Sequence, residues 1–140
     1  MRSPSAIAVA TLFSLFVVGP TAAEPAYTID TVVSIFDGDA VEPTKVGYQY
    51  WFADKDFADG KTLKLSVVKP HAATHAPHTH EEDEFFFVLE GTAEFYLDGE
   101  TATGGPMTSF YCPSGVEHGI RNIGDTELKY LVIKQYILDD

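Results

Sequence analysis

The sequence of 140 residues has only one cysteine, one asparagine and two arginines. Because Cys112 is the only cysteine, no intrachain disulfide is possible, and stability must come from an apolar core or from a bound metal. Asn122 is followed by Ile and Gly, so the chain contains no N-glycosylation sequon. A hydrophobic fraction of 45% is nevertheless that of a folded, core-forming chain.

Basic residues of either kind are scarce. The chain has nine Lys and Arg residues and 21 Asp and Glu residues, which gives a formal net charge of −12 at pH 7. Such a chain repels nucleic acid and anionic membrane surfaces, so we expect neither as a partner. Arg2 and Arg121 are the only arginines. An arginine clamp for a substrate carboxylate is therefore not expected, and a carboxylate would have to bind a metal or a lysine.

The first residues have the layout of a secretory signal peptide. A short basic start is followed by the apolar stretch 6–18 and by small residues before Glu24. The apolar stretch is shorter than the roughly 20 residues of a membrane span. We interpret residues 1–23 as a signal peptide and residues 24–140 as a single domain, secreted or periplasmic and free of the membrane after cleavage. The alternative is an uncleaved membrane anchor.

After residue 26 the apolar residues alternate with a period close to two, which predicts strands and no convincing amphipathic helix. Glycine, proline and acidic residues separate the segments. The predicted strands are residues 27–35, 46–53, 61–69, 84–91, 92–100, 108–112, 118–123 and 127–138. Many short strands at regular spacing indicate an all-β sandwich or barrel.

The consecutive apolar residues 85–89 predict a strand that is covered on both faces. One face would line the barrel and the other would pack on a second layer or a second subunit. A homodimer is therefore one expectation, and a strand buried within a single domain is the alternative.

Metal-capable residues precede that strand in the stretch HTHEEDEFFFVLEG, residues 78–91. His78, His80 and Glu84 share the same parity and can project to one side, with the acids between them turning the chain. Only His118 lies outside the segment 71–80 and can add a fourth ligand. Nitrogen and oxygen donors of this kind bind one divalent transition metal such as Fe, Mn, Ni, Cu or Zn. Four ligands leave open positions on an octahedral metal for substrate or dioxygen.

The two segments resemble the two motifs of the cupin superfamily. His78, His80, Glu84 and Gly91 match the first motif, and Pro113, Gly115, His118 and Asn122 match the core of the second. The resemblance implies an all-β, cupin-like jelly-roll β-barrel with a metal held by three histidines and one glutamate, often in a dimer. Ala72 and Met107 stand where the family usually has glycine, which affects turn geometry and not the ligands.

The sequence also predicts the environment or role of five further residues. His71 and His75 are interpreted as an exposed rim loop, with ligation or a proton relay as the alternative. Arg121 has the opposite parity to His118 and should face away from the barrel. Asn122 points inward to stabilise a turn or to orient a metal ligand. Cys112 is expected to fill the core; a reactive thiol is the alternative.

Three functions fit these features. The first is a metal-dependent oxygenase, dioxygenase-like, acting on a small oxygen-rich molecule such as a phenolic or an oxo-acid. The second is a non-redox isomerase, epimerase or lyase in which the metal is a Lewis acid; this needs a general base, and no residue is identified for that role. The third is a non-catalytic module that binds a small molecule.

Overall fold

The computed structural model describes residues 27–138, and these fall into two units, residues 27–32 and residues 33–138. The predicted signal peptide, residues 1–23, lies outside the described residues. Among the residues described, no helix has the length and apolar character needed to cross a membrane.

The first unit contains a single helical turn, α1 (Ile29–Val32). The prediction of a strand over residues 27–35 is therefore wrong. The Thr31 hydroxyl donates to the Thr28 carbonyl at 3.0 Å, and the Val32 amide donates to the same oxygen at 3.1 Å. Threonine side chains compete in this way with sheet hydrogen bonds, and here local partners replace a neighbouring strand.

The second unit begins with a short 3₁₀ turn (Gly38–Ala40) and continues as nine strands. The strands are β1 (Glu42–Thr44), β2 (Gly47–Ala53), β3 (Lys61–Val68), β4 (Glu84–Glu90), β5 (Ala93–Leu97), β6 (Glu100–Gly104), β7 (Ser109–Cys112), β8 (His118–Asn122) and β9 (Leu128–Gln135). Seven of the eight predicted segments overlap these strands. The missed β1 contains Pro43, which is compatible with its place at a sheet edge.

The strands form two antiparallel sheets, with orders β1-β2-β3-β9-β4-β7 and β6-β5-β8. The apolar core lies between them. Phe86 of the larger sheet meets Phe95 of the smaller one with ring centroids 6.2 Å apart, and Phe95 stacks on Phe110 at 4.8 Å. The predicted all-β jelly-roll barrel is confirmed.

Strand β4 is not covered on both faces by the described residues. Phe86 and Val88 are buried in the barrel, but Phe85 is 45% exposed and Leu89 is 40% exposed. The alternative of a strand buried within a single domain is not met by residues 33–138, because they place no further layer on the outer side. Self-association through this face stays a prediction.

A tight hairpin at Asp98 and Gly99 divides the segment predicted as one strand over residues 92–100. Both residues have positive φ, 46° and 88°, and they connect the pair Leu97 and Glu100. This is the combination that a two-residue type I′ turn requires, and Asp-Gly is among its preferred sequences. The turn starts β6, which pairs with β5 and was not predicted.

The two departures from the family pattern differ in their local consequences. Met107 has φ of 67° and is 80% exposed, so a non-glycine residue occupies the left-handed region in the turn before β7. Ala72 has no positive φ. Its carbonyl accepts a hydrogen bond from the Asn122 amide at 2.8 Å, a role that does not require glycine.

Candidate metal centre

Backbone pairing places two of the predicted ligands side by side. His78 and His118 form an isolated antiparallel bridge. The His78 amide donates to the His118 carbonyl at 2.9 Å, and the His118 amide donates to the His78 carbonyl at 3.0 Å. The segment before β4 is therefore fixed against the first residue of β8.

The acidic segment between His80 and Glu84 is also held in place. The Gly115 amide donates to the His80 carbonyl at 2.9 Å, and the Ser114 amide donates to Oδ1 of Asp83 at 2.7 Å. The predicted turn at these acids is thus tied to the loop that precedes β8. It brings the chain into β4 with Glu84 buried on the inner face.

The four predicted ligand side chains meet at this end of the barrel. One ring nitrogen from each of His78, His80 and His118 lies within 4.8 Å of the others. Oε1 of Glu84 is 2.9 Å from Nε2 of His118 and 3.3 Å from Nε2 of His80. His118 is fully buried, whereas His78 is exposed and closes the cluster on the solvent side.

Hydrogen bonds fix which nitrogen of two imidazoles faces the centre. Nδ1 of His118 is 2.8 Å from the Val116 carbonyl, and Nδ1 of His78 is 3.2 Å from the Ala76 carbonyl. A carbonyl oxygen only accepts, so each Nδ1 carries a proton, and Nε2 of a neutral imidazole is left as a lone pair. In His118 that lone pair faces the acceptor oxygen of Glu84.

Two acceptors 2.9 Å apart need a proton or a cation between them. His80 adds to this requirement, because neither of its buried ring nitrogens makes a hydrogen bond with any described residue. Its contacts with Glu82 and Glu84, at 3.5 Å and 3.3 Å, lack hydrogen-bond geometry. Orphaned buried imidazole nitrogens beside a carboxylate fit a divalent metal, which accepts nitrogen and oxygen ligands.

Cys112 lies next to the centre, a position that sequence reasoning did not anticipate. Its sulfur and ligand atoms of Glu84 and His118 are mutually within 4.8 Å. Cys112 is fully buried in the apolar core, as expected for a core residue. Burial, and then the charge of Glu84, raises the pKa of the thiol far above its ordinary value. Without a cation beside it, the group is therefore a protonated thiol at neutral pH.

The remaining singled-out residues are not members of the cluster. His71 is exposed and pairs with Asp125 at 2.8 Å. His75 is exposed, with its ring centroid 5.8 Å from that of His78. Arg121 is exposed beside Glu94 at 3.7 Å, so it faces away as predicted.

Asn122 has a structural environment and not a ligand environment. It is fully buried, and its amide nitrogen donates to the carbonyls of Val68 at 3.0 Å and Thr126 at 2.7 Å. Its side-chain oxygen accepts from the Gly124 amide at 2.9 Å. These three hydrogen bonds hold the turn after β8 against the end of β3.

The cluster opens into a cavity of about 480 Å³ inside the barrel. Its wall is partly aromatic, with Phe86 and Tyr130, and partly polar, with Ser66, Lys64 and Lys134. Burial raises the pKa of Tyr130, whose hydroxyl interacts with Thr74 and Ser66. A cavity of this size fits a small organic molecule beside the histidines.

Sequence reasoning did not single out Lys64 or Lys134. Lys134 pairs with Glu82 at 3.4 Å and lies over the Tyr136 ring at 4.7 Å. Lys64 lies over the Trp51 ring at 4.9 Å, and burial lowers its pKa. The available signal was the alternation of polar and apolar residues in β3, but alternation alone does not tell which face lines the barrel.

Comparisons with known proteins agree with this architecture. The model of the cupin domain family matches residues 64–134, a segment that runs from within β3 to near the end of β9. A curated relative, mannose-1-phosphate guanylyltransferase of Escherichia coli (strain K12), is 28% identical over 97 residues. The match covers 66% of this chain but only 20% of the relative, so this chain spans about one fifth of that enzyme.

Solved structures show the same fold at low sequence identity. A Photorhabdus luminescens protein superposes with a TM-score of 0.64 at 17% identity, over 75% of this chain and 88% of that one. A Thermotoga maritima protein, a predicted oxalate decarboxylase, gives 0.60 at 20% identity, over 64% of this chain and 80% of that one. At these identities the likeness concerns the fold. Together with the match over half of the sequence and the two motifs around the histidine cluster, it leads to one conclusion: the chain belongs to the cupin domain family.

Proposed function

We propose that this protein is a metal-dependent oxygenase, dioxygenase-like, that acts on a small oxygen-rich molecule such as a phenolic or an oxo-acid. In this proposal His78, His80, Glu84 and His118 hold one divalent metal at the inner end of the cavity. The observation that carries it is the pair of buried acceptors, Nε2 of His118 and Oε1 of Glu84, 2.9 Å apart beside the unsatisfied nitrogens of His80.

The residues of the chain have separate roles in this proposal. The carbonyls of Val116 and Ala76 orient His118 and His78 through Nδ1, so that Nε2 of each faces the centre. Phe86 and Tyr130 provide an aromatic wall that suits a flat organic substrate. When bound, a redox-active divalent metal would supply the electron chemistry that dioxygen requires.

Support for an acidic substrate comes from the charges in the cavity. Three lysines line it, Lys45, Lys64 and Lys134, although the chain as a whole carries a net charge of −12. A cationic lining inside an acidic protein favours an anionic ligand. The name of one structural relative, a predicted oxalate decarboxylase, points to the same class of small acids.

A second candidate, a non-redox lyase or isomerase, is favoured by one observation. Burial lowers the pKa of Lys64, which makes its neutral amine more accessible than that of an exposed lysine. A lysine of this kind can act as the general base that Lewis-acid chemistry needs beside a metal. The sequence alone did not identify such a base.

The test begins with metal content. Untagged protein is purified, its metals are measured by inductively coupled plasma mass spectrometry, and samples are reconstituted separately with Fe, Mn, Ni, Cu and Zn. We expect about one metal per chain. Absence of any metal after reconstitution would overturn the proposal and leave a small-molecule-binding module.

Each reconstituted form is then assayed with an oxygen electrode against a panel of phenolics and oxo-acids, with products identified by mass spectrometry. Oxygen consumption that depends on both substrate and a redox-active metal supports the oxygenase. Equal turnover without air and with zinc would instead establish the non-redox enzyme. Binding without any product would leave the non-catalytic module. The secreted or periplasmic location is a separate prediction.

A further inference from the structure

The Lys64 side chain projects into the same cavity as the histidine cluster. In β3, Lys64 and Ser66 line this cavity, whereas Leu65 and Val67 pack on the opposite side against Val41, Tyr48 and Phe52. The backbone of β3 is paired on both edges, with Lys64 opposite Trp51 of β2 and Val132 of β9. The lysine therefore has a rigid base in the middle of the larger sheet.

This ammonium has no carboxylate partner among the described residues. Ion pairs in residues 27–138 engage Lys129 with Glu90 and Lys134 with Glu82, but none engages Lys64. Its ammonium lies over the Trp51 ring, 4.9 Å from Nζ to the ring centroid. A half-buried cation without an anion is unfavourable for folding.

Two carboxylates still act on Lys64 from a distance. Burial is the main effect and lowers its pKa, while the charges of Glu84 and Glu42 oppose that shift. Lys64 and Glu84 line the same cavity.

We infer that Lys64 is the residue that recognises a carboxylate of the substrate, at a place in the cavity separate from the metal centre. This inference rests on the proposed function, since it assumes that a substrate oxygen binds at the histidine cluster. An anion at Lys64 would supply the counter-charge that the chain does not provide.

The strand register places Lys64 and the histidine cluster at different points of the cavity wall. Lys64 faces Val132, which faces Phe86, so Lys64 and Glu84 lie two strands apart in the same sheet. Two strand spacings are roughly 10 Å between backbones. Both residues line the same cavity, so Lys64 can bind the carboxylate of a molecule whose other oxygen group lies at the histidine cluster. The substrate class is an organic acid with a second oxygen group.

A matched pair of probes isolates this carboxylate. 2-Oxoglutarate and 2-oxopentanoate share the oxo-acid end and the chain length, but a methyl group replaces the distal carboxylate in the second. Both are titrated calorimetrically, without air, into Mn-loaded wild-type protein and into the Lys64→Met, Lys64→Arg and Lys69→Met variants. Lys69 is exposed and is not among the residues that line the cavity, so Lys69→Met removes the same charge elsewhere.

We expect the wild type and Lys69→Met to bind 2-oxoglutarate about tenfold or more tightly than 2-oxopentanoate, as for a charged hydrogen bond that is partly shielded from water. Lys64→Met should abolish the preference, and Lys64→Arg should keep most of it. Metal content and melting temperature of each variant establish that the centre and the fold are intact.

Two results would overturn the inference: no preference in the wild type, or a preference that survives in Lys64→Met. The outcome is separable from the oxygenase proposal because binding needs no turnover. A protein that prefers 2-oxoglutarate through Lys64 but never consumes oxygen refutes the oxygenase alone. A protein that consumes oxygen with a substrate whose KM is unchanged in Lys64→Met refutes the role of Lys64 alone.

Discussion

Nε2 of His118 lies 2.9 Å from Oε1 of Glu84, although the two residues are 34 positions apart in the chain. Each is the first residue of its strand, Glu84 in β4 of the larger sheet and His118 in β8 of the smaller one. The contact therefore joins corresponding ends of two different sheets. It exists only once the barrel has closed.

Removing a ligand should release the metal. His80→Ala and His118→Ala should each lower the metal content well below that of the wild type and reduce the melting temperature in the presence of metal. Metal at 100 times its Kd stabilises a folded protein by about 2.7 kcal/mol, and this contribution disappears with the site. Mass spectrometry of metals and thermal unfolding provide the measurements.

His75→Ala is the matched control for these ligand variants, because His75 is near His78 but is not part of the cluster. It should leave metal content and melting temperature unchanged. Loss of metal in His75→Ala with retention in His118→Ala would show that the exposed loop, and not the barrel centre, is the binding site.

Lys64→Met should stabilise the metal-free protein at neutral pH. Because burial lowers the pKa of Lys64, its charged form costs folding free energy, and this cost is fully present below the folded-state pKa. As the pH rises from that lowered pKa towards the ordinary value of 10.5, the unfolded chain binds a proton that the folded chain has lost, so wild-type stability recovers. The advantage of Lys64→Met in urea unfolding should shrink over this range; an advantage that grows with pH would contradict the assignment.

Cys112 should be unreactive in the native protein. It is fully buried, and burial raises the pKa of its thiol, so little thiolate exists at neutral pH. Iodoacetamide should modify Cys112 only under unfolding conditions, as followed by intact-protein mass spectrometry. Stoichiometric labelling of the folded, metal-free protein within minutes would establish a reactive thiol instead.

Asn122→Ala should destabilise the fold by about 3 kcal/mol, because it removes the hydrogen bonds from a fully buried side chain to the carbonyls of Val68 and Thr126 and the acceptor of the Gly124 amide. Urea unfolding measures the loss. The exposed neighbour Arg121 gives a control, since Arg121→Ala should change stability by no more than about 0.5 kcal/mol. If the folded Asn122→Ala protein lost its metal while its stability stayed unchanged, Asn122 would orient a ligand and not the turn.

Met107→Gly should make the protein more stable. A non-glycine residue in the left-handed region costs about 1–2 kcal/mol, whereas the added chain entropy of glycine costs about 0.5–1 kcal/mol. With φ of 67° and an 80% exposed side chain, Met107 has little packing to lose. Urea unfolding should show a gain of up to about 1 kcal/mol. A loss would mean that the methionine side chain contributes packing that outweighs the backbone strain.

Features that depend on residues close together in the chain could be predicted from the sequence. The spacing of His78, His80 and Glu84, the alternation that gives β2, β3 and β9 and the apolar run that gives β4 are local patterns, set by the geometry of a strand. The predicted strand boundaries were wrong where local hydrogen bonds, as at Thr28, or a two-residue turn, as at Asp98, determined the backbone conformation. The family motifs added His118 as the distant fourth residue.

The orientation of the polar residues required the tertiary structure. Alternation in β3 divides Lys64 and Ser66 from Leu65 and Val67, but it does not say which set faces the barrel. The orientation of β3 depends on β2 and on the segment around Val41. These pack on the face of β3 that carries Leu65, so the face that carries Lys64 lines the cavity. The sequence by itself therefore determined the all-β class and the metal-capable residues. Only the folded barrel decided that a lysine shares their cavity, because that proximity depends on contacts between strands distant in the chain.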